Sequence, residues 1–225
     1  MENLTDLKIY GQGSSGGGKF RDVSIKGSGQ ISGDLECKKY EVLGTGDIKG
    51  DLTAEEVMIK GQFKFGGQVN AVDLKVYGES NFRGDIFTDE ALFQGSLESK
   101  GDLNAEICKI EGGFVIDGLL NVELFELTMY WPCKVSEIGG TNITIKKDAK
   151  FSFLGLKNMI TPHSNKGFLE VDTVEGDEIY LENTHAKVVR GKNITLGPNC
   201  QIDRLEYQNS YKDHESSRVV STAKI

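Results

Sequence analysis

Apolar and polar residues alternate along most of this chain, and the alternation repeats every 17 residues. Four apolar columns keep this step. They are Ile25, Val42, Ile59, Val76, Phe93, Ile110, Leu127; Leu35, Leu52, Val69, Ile86, Leu103, Leu120; Ile31, Ile48, Phe65, Phe82, Ile116, interrupted at Ser99; and Val23, Tyr40, Val57, Leu74, Ala91, Cys108, Phe125. A period of two is typical of β-strands, and no stretch shows the 3.6-residue period of a helix. The pattern therefore predicts repeated short strands.

Two columns of glycine keep the same step through six units. They are Gly27, Gly44, Gly61, Gly78, Gly95, Gly112, and Gly33, Gly50, Gly67, Gly84, Gly101, Gly118. Glycine is favoured where a chain bends sharply, often at positive φ, and where a Cβ would clash with a neighbouring backbone. We interpret these glycines as structural corners of stacked coils.

A 17-residue unit of three short strands cannot bury its apolar side alone, but copies stacked about 4.8 Å apart give every strand hydrogen-bonded neighbours. The sequence therefore predicts an all-β, right-handed parallel β-helix (solenoid) of about a dozen coils. We divide the chain into a Gly-rich segment and first coil (1–23), regular coils (24–125), less regular coils with a loop near 161–167 (126–207), and a flexible tail (208–225).

The charge and hydrophobicity of the chain argue against some classes of partner and site. The 34 acidic and 26 basic residues give a net charge of −8 without any basic block, which argues against nucleic acid as a partner. No apolar run approaches the roughly 18 residues of a membrane helix, so the chain is expected in the cytoplasm, with peripheral contact at the inner face of the membrane left open. The four cysteines form no CxxC and are expected to be free, buried thiols.

Sites for cofactors, metals or catalysis are not expected. Gly11 to Gly16 matches G-x-G-x-x-G, but no helix follows to bind a pyrophosphate. The column Asp34, Asp51, Asp85 and Asp102 could form a calcium cage, although a solvated ladder of turn residues is favoured, and Gln68 interrupts it.

The histidines and aromatic residues do not indicate a catalytic or metal site either. His163, His185 and His214 share no repeat column, so no general base or His₃ metal site is expected. The densest aromatic group is expected to fill the core where the pattern loosens, with an exposed partner site as the alternative. It contains Phe125, Tyr130, Trp131, Phe151 and Phe153.

The repeated motif G-x-G-x-I-x-G-D-L, seen at Gly27 to Leu35 and Gly44 to Leu52, resembles the bactofilins, the bacterial polymer-forming cytoskeletal proteins. The resemblance covers roughly residues 7 to 207, and Val188 to Asp203 is similar to the closing coils of longer Gram-positive members. It implies a homopolymer that forms end to end without nucleotide. It also implies a scaffold in cell shape, envelope organisation or motility that recruits envelope or motility proteins.

A β-helical enzyme, such as a hexapeptide-repeat acyltransferase, is the alternative. Leu196 to Gln201, followed by Ile202, has a six-residue step, but the dominant period is 17 and no histidine lies at a repeat boundary. The scaffold reading also explains why no helix is predicted to cap either end of the stack. In that reading Ile9, Ile202 and Leu205 are expected to lie in the contact between polymerised copies.

Overall fold

The structure, a computed structural model, describes residues 4–148 and 167–225, and every regular element in them is a β-strand. The strands are β1 (Leu7–Ser15), β2 (Gly18–Lys19), β3 (Asp22–Ile31), β4 (Leu35–Ile48), β5 (Leu52–Phe65), β6 (Val69–Phe82), β7 (Ile86–Ser99), β8 (Leu103–Met129), β9 (Cys133–Lys147), β10 (Leu169–Leu181), β11 (Thr184–Leu196), β12 (Gln201–Asp213) and β13 (Arg218–Lys224).

The strands form one continuous parallel sheet that winds into a solenoid of about 12 turns. The strands follow one another in the order β1-β3-β4 and onward to β13, and the short β2 lies off this path and pairs with β4. The register places Ile25 beside Val42 in the regular part and Ile179 beside Ile194 in the later part. The predicted all-β solenoid and its 17-residue repeat are therefore confirmed, and the step shortens to 15 residues in the later coils.

The coils differ from the expected three short strands, because hydrogen bonding continues around one of the corners. In β4 to β7 a single strand of 14 residues includes the first glycine column. Those glycines share positive φ values, from +124° at Gly27 to +154° at Gly112. Since each coil bends in the same way at the same place, the ladder turns without losing its pairing.

The interior is a stack of buried apolar side chains. Ile25, Val42 and Ile59 are fully buried, as are most members of the other inward columns. Phe65 and Phe82 stack with ring centroids 4.5 Å apart and nearly parallel planes. Stacked coils thus bury side chains against their own counterparts in the next coil, which explains why the columns repeat residue type.

The middle of the chain departs from the regular step. The partner of Ile116 is Val135, whereas Leu119 pairs with Glu137, so the register shifts between these residues. Phe125 is buried, as expected for core filling, but Trp131 is 48% exposed, so that expectation is wrong for the tryptophan. Trp131 lies in the short connection between β8, which ends at Met129, and β9, which begins at Cys133.

Several expectations fall on residues outside the described part of the chain. They concern Phe151, Phe153, His163 and the loop near 161–167, of which only Gly167 is described. On either side of this stretch, β9 and β10 are direct neighbours in the sheet, with Cys133 beside Leu169.

The predicted flexible tail over residues 208–225 is wrong. Strand β12 continues to Asp213, and β13 forms a further coil in which Val219 lies beside Ile202. Two serines fasten the turn before it: Ser216 Oγ accepts a hydrogen bond from the Asn199 N–H at 3.1 Å, and Ser217 Oγ accepts one from Cys200 at 2.9 Å. The composition concealed this coil because much of an outermost coil stays exposed and needs few apolar residues.

Candidate assembly surfaces

The first coil presents a sheet edge without a partner strand among the described residues. Strand β1 pairs with β3 on one edge only. The inward-pointing Ile9 is 7% exposed, and Leu7 and Phe20 are partly buried against the core. The neighbouring Tyr10 points outward and is 63% exposed. The predicted contact residue Ile9 therefore lies on the outermost layer of the core at this end.

The other end differs from the prediction. Ile202 and Leu205 are fully buried within β12, because β13 covers them and pairs Ile202 with Val219 and Leu205 with Thr222. They cannot touch another copy while this coil is in place. The outermost apolar contact is instead Val219, which is partly buried against the core, whereas Val220 points outward and is 68% exposed.

The second half of β12 adds to this end. Residues from Ser210 to Asp213 pair with β11 but have no strand on their other edge among the described residues. Tyr207 and Tyr211 pack there with ring centroids 5.9 Å apart. Burial and a hydrogen bond with Asp213 raise the pKa of Tyr211 to about 12, so its hydroxyl remains protonated at neutral pH.

Partly covered apolar side chains concentrate at the two ends. Seven apolar residues of the described chain pack on the core while remaining partly exposed, and only Ala71 and Ala105 lie in central coils. The other five are Leu7, Phe20, Tyr207, Tyr211 and Val219. Each end thus combines unpaired backbone groups with apolar area, the combination that favours pairing with another chain.

An ion network holds the coils beneath the C-terminal end. The Glu206 carboxylate is nearly buried and accepts a hydrogen bond from Arg190 Nε at 2.6 Å. Arg204 approaches its other oxygen at 2.5 Å, and Arg190 also contacts Glu175 at 3.3 Å. Arg190, followed by Arg204, holds the pKa of Glu206 below its usual range, which keeps the carboxylate charged and fixes β11 against β12.

The aspartate column forms a turn ladder, as favoured from the sequence. Asp51 Oδ1 accepts a hydrogen bond from the backbone N–H of Gln68, one coil further on, at 2.8 Å. Asp102 does the same for Leu119 at 2.8 Å, and Asp34 and Asp85 repeat the contact. Within the described residues no group of three or more His, Cys, Asp or Glu side chains could hold a metal ion.

The remaining candidate groups are separate from one another. Gly11 to Ser15 belongs to strand β1. His185 stacks on Phe168 at 4.6 Å, and His214 contacts Ser216. All four cysteines are free and buried, and burial raises the pKa of Cys37 and Cys133 to about 12. These thiols are held in their protonated form, so they are poor nucleophiles.

A polar groove of about 880 Å³ runs across the first six coils. Two side-chain hydrogen bonds cross its wall: Gln62 donates to Glu79 at 2.9 Å, and Asn81 donates to Glu98 at 2.8 Å. These contacts link successive coils, so the groove wall stabilises the stack.

Comparison with known proteins agrees with the sequence motif. Residues 6–104 match the Bactofilin family, described as polymer-forming cytoskeletal. The predicted resemblance is therefore confirmed over this part of the chain. Within the described residues no helix is long and apolar enough to cross a membrane.

Two relatives come from Bacillus subtilis (strain 168). The uncharacterized protein YhbF is 43% identical over 91 residues, which are 40% of this chain and 34% of the relative. The uncharacterized protein YhbE is 42% identical over 57 residues, 25% of this chain and 24% of the relative. The matches thus span about a third or less of these relatives. No solved structure matches the chain at a significant level.

Proposed function

We propose that this chain is a cytoskeletal scaffold subunit that polymerises end to end through its outermost coils, without nucleotide or metal. The observation that carries the proposal is the concentration of partly covered core side chains at two opposite sheet edges, in a chain whose residues 6–104 match a family described as polymer-forming. Stacking two copies would continue the same parallel ladder and cover Leu7, Phe20 and Val219.

A structural role in the cytoplasm is part of this proposal. Its exposed sides would recruit proteins of the envelope or of motility. The acyltransferase alternative relied on a six-residue step from Leu196 to Ile202, yet β11 ends at Leu196 and its register with β10 is 15 residues. No observation on the described residues favours the enzyme.

Strand β13 offers a matched pair of variants as the test. Val219→Lys places a charge on the inward side of the outermost coil, where stacking would desolvate it without a partner, at a cost of several kcal/mol. Val220→Lys introduces the same residue one position along, on the exposed side. We expect Val219→Lys to prevent filaments in negative-stain electron microscopy and Val220→Lys to leave them unchanged.

The opposite end provides an independent pair. Ile9→Lys should block assembly and Tyr10→Lys should not, because these adjacent residues point to opposite sides of β1. Circular dichroism of every variant checks that the solenoid remains folded. Wild-type filaments must persist after apyrase and EDTA treatment. A wild-type protein that stays monomeric over a wide range of concentration and salt would refute the proposal.

A further inference from the structure

Three large apolar side chains are exposed on one side of the solenoid, in three successive regular coils. They are Val72, which is 52% exposed, Phe87, which is 39% exposed, and Ile107, which is 42% exposed. No other large apolar side chain is exposed between residues 24 and 112. A cluster of exposed apolar side chains rimmed by polar residues is typical of an interaction site.

The repeat does not account for these three residues. Phe87 lies in register between Asn70 and Asn104, and Ile107 lies beside Glu90, so the same positions are polar in neighbouring coils. An exposed side chain does not fill the core, and the packing of the coils therefore places no demand for an apolar residue here.

A shallow depression of about 570 Å³ crosses five coils next to Phe87 and Val72, and we call it the side trough. Its floor is one column of small residues, in register from coil to coil: Ala54, Ala71, Thr88 and Ala105. The Thr88 hydroxyl lies within hydrogen-bonding distance of the Val72 and Glu90 carbonyl oxygens, at 3.1 and 2.9 Å. The floor is therefore apolar. It also contains both partly exposed core residues of the central coils, Ala71 and Ala105.

One flank of the side trough is acidic. Asp89, Glu106 and Glu123 line it, and no basic residue does. Within the described chain none of these three carboxylates takes part in an ion pair or a side-chain hydrogen bond. Lys109, in the coil of Glu106, contacts Glu111 instead, at 3.6 Å. Carboxylates in successive coils, about 5 Å apart, produce a negative potential that attracts cationic groups.

The geometry points to a docking site for a basic, extended segment of a partner protein. Its apolar side chains would pack on the floor between Phe87 and Val72, and its Lys or Arg side chains would meet Asp89 and its acidic neighbours. Asn70 and Asn104 lie on either side of Phe87, so their amide groups are placed to hydrogen-bond the backbone of the segment. The inference rests on the proposed scaffold function, because it names the chemistry of the partner that such a scaffold recruits.

The dimensions of the side trough favour an extended segment over a helix. Phe87 and Asp89, on its two flanks, are two residues apart on β7, at most about 7 Å, whereas a helix with its side chains is about 10–12 Å across. Five coils span about 19 Å, the length of about six extended residues. The same carboxylates repel nucleic acid and anionic membranes, and the net charge of −8 disfavours a second copy of the chain.

Three labelled peptides of eight residues test the site by fluorescence anisotropy. The first alternates lysine with leucine and phenylalanine, the second has glutamate in place of each lysine, and the third has serine in place of each apolar residue. The full chain is used both as wild type and as Val219→Lys, so that binding is measured with and without the proposed assembly. We expect the first peptide to bind at least about tenfold more tightly than either of the others.

Matched variants locate the binding. Phe87→Asn installs the residue of the neighbouring coils and should weaken binding of the first peptide about fivefold or more. Val115→Asn is its control, since Val115 is 42% exposed but does not line the side trough. Asp89→Lys with Glu106→Lys should weaken binding about tenfold or more. Glu170→Lys with Asp203→Lys makes the same change in net charge at exposed positions of later coils and should not.

The outcomes separate this inference from the proposed assembly. Selective binding that is lost only in the side-trough variants supports the inference, and it does so even where the wild type forms no filaments, which refutes the end stacking alone. Equal binding of the three peptides, or equal losses in the control variants, indicates general charge attraction and overturns the inference while leaving end-to-end assembly intact. Wild-type lateral dimers that Phe87→Asn abolishes would assign the side trough to a second copy and overturn it as well.

Discussion

Replacing each of four glycines by alanine, one at a time, separates the destabilisation caused by backbone strain from that caused by steric clash between coils. Gly61 has φ +137°, and an added Cβ would overlap the carbonyl oxygen of Gly44 in the preceding coil. Gly67 does not have a positive φ, but its Cβ would lie 2.6 Å from the Gly50 carbonyl carbon. Gly11 has φ +83° with open space around it, and Gly16 has neither problem.

The expected losses in the free energy of unfolding follow this order. Alanine at Gly11 carries strain alone, about 1–2 kcal/mol. Alanine at Gly67 must push the neighbouring backbone away, which costs about 1–3 kcal/mol. At Gly61 the two effects combine to about 2–5 kcal/mol. At Gly16 the change stays within about 0.5 kcal/mol.

Urea denaturation followed by circular dichroism compares the stability of the four alanine variants. Each is made in the Val219→Lys background, in which we expect no filaments, and in the Val220→Lys background, in which we expect filaments. Midpoints are compared, because a solenoid does not always unfold in a single step. Equal losses for Gly67→Ala and Gly16→Ala would contradict the assignment of corner columns. A larger loss at Gly11 than at Gly61 would show that contact between coils is not what excludes a side chain.

Three further predictions concern stability. Tyr40→Phe should raise the free energy of unfolding by about 1 kcal/mol, since the buried Tyr40 hydroxyl has no hydrogen-bond partner among the described residues; a loss seen in urea titration would reveal a missed partner. Asp51→Ala should lower it by about 1–2 kcal/mol by removing the acceptor for the Gln68 N–H, and Asp51→Asn should recover part of this loss in the same assay. The depressed pKa of Glu206 contributes stability that is present above the unfolded pKa and lost as pH falls through the folded pKa, so thermal melts of Glu206→Gln should depend less on acid pH than those of the wild type.

The regular coils were predictable because each interior residue has a neighbour above and below of the same kind. Ile25 and Val42 lie in register as the column required, and Asp51 fulfils the turn role that its column indicated. The two glycine columns could not be distinguished by sequence alone. Gly61 is required by its φ and by contact, whereas Gly67 is required by contact only, and both requirements select glycine.

The wrong prediction at the C-terminal end has the same physical origin as the proposed assembly. An interior coil packs its apolar residues against a coil on each side. Each inward position must therefore be apolar, and the 17-residue hydrophobic pattern is regular. The outermost coil packs on one side only, and β13 accordingly keeps Val219 in the inward column while placing Thr222 beside Leu205. An irregular hydrophobic pattern is therefore what we expect of a coil that packs on one side only.

Because Ile202 and Leu205 are already fully buried, lysine at either position should destabilise the solenoid itself, whereas lysine at Val219 should act on assembly first. A melting temperature that falls equally in Leu205→Lys and Val219→Lys would show that the outermost coil is already packed as tightly as the interior, and the proposed stacking surface would lose its basis.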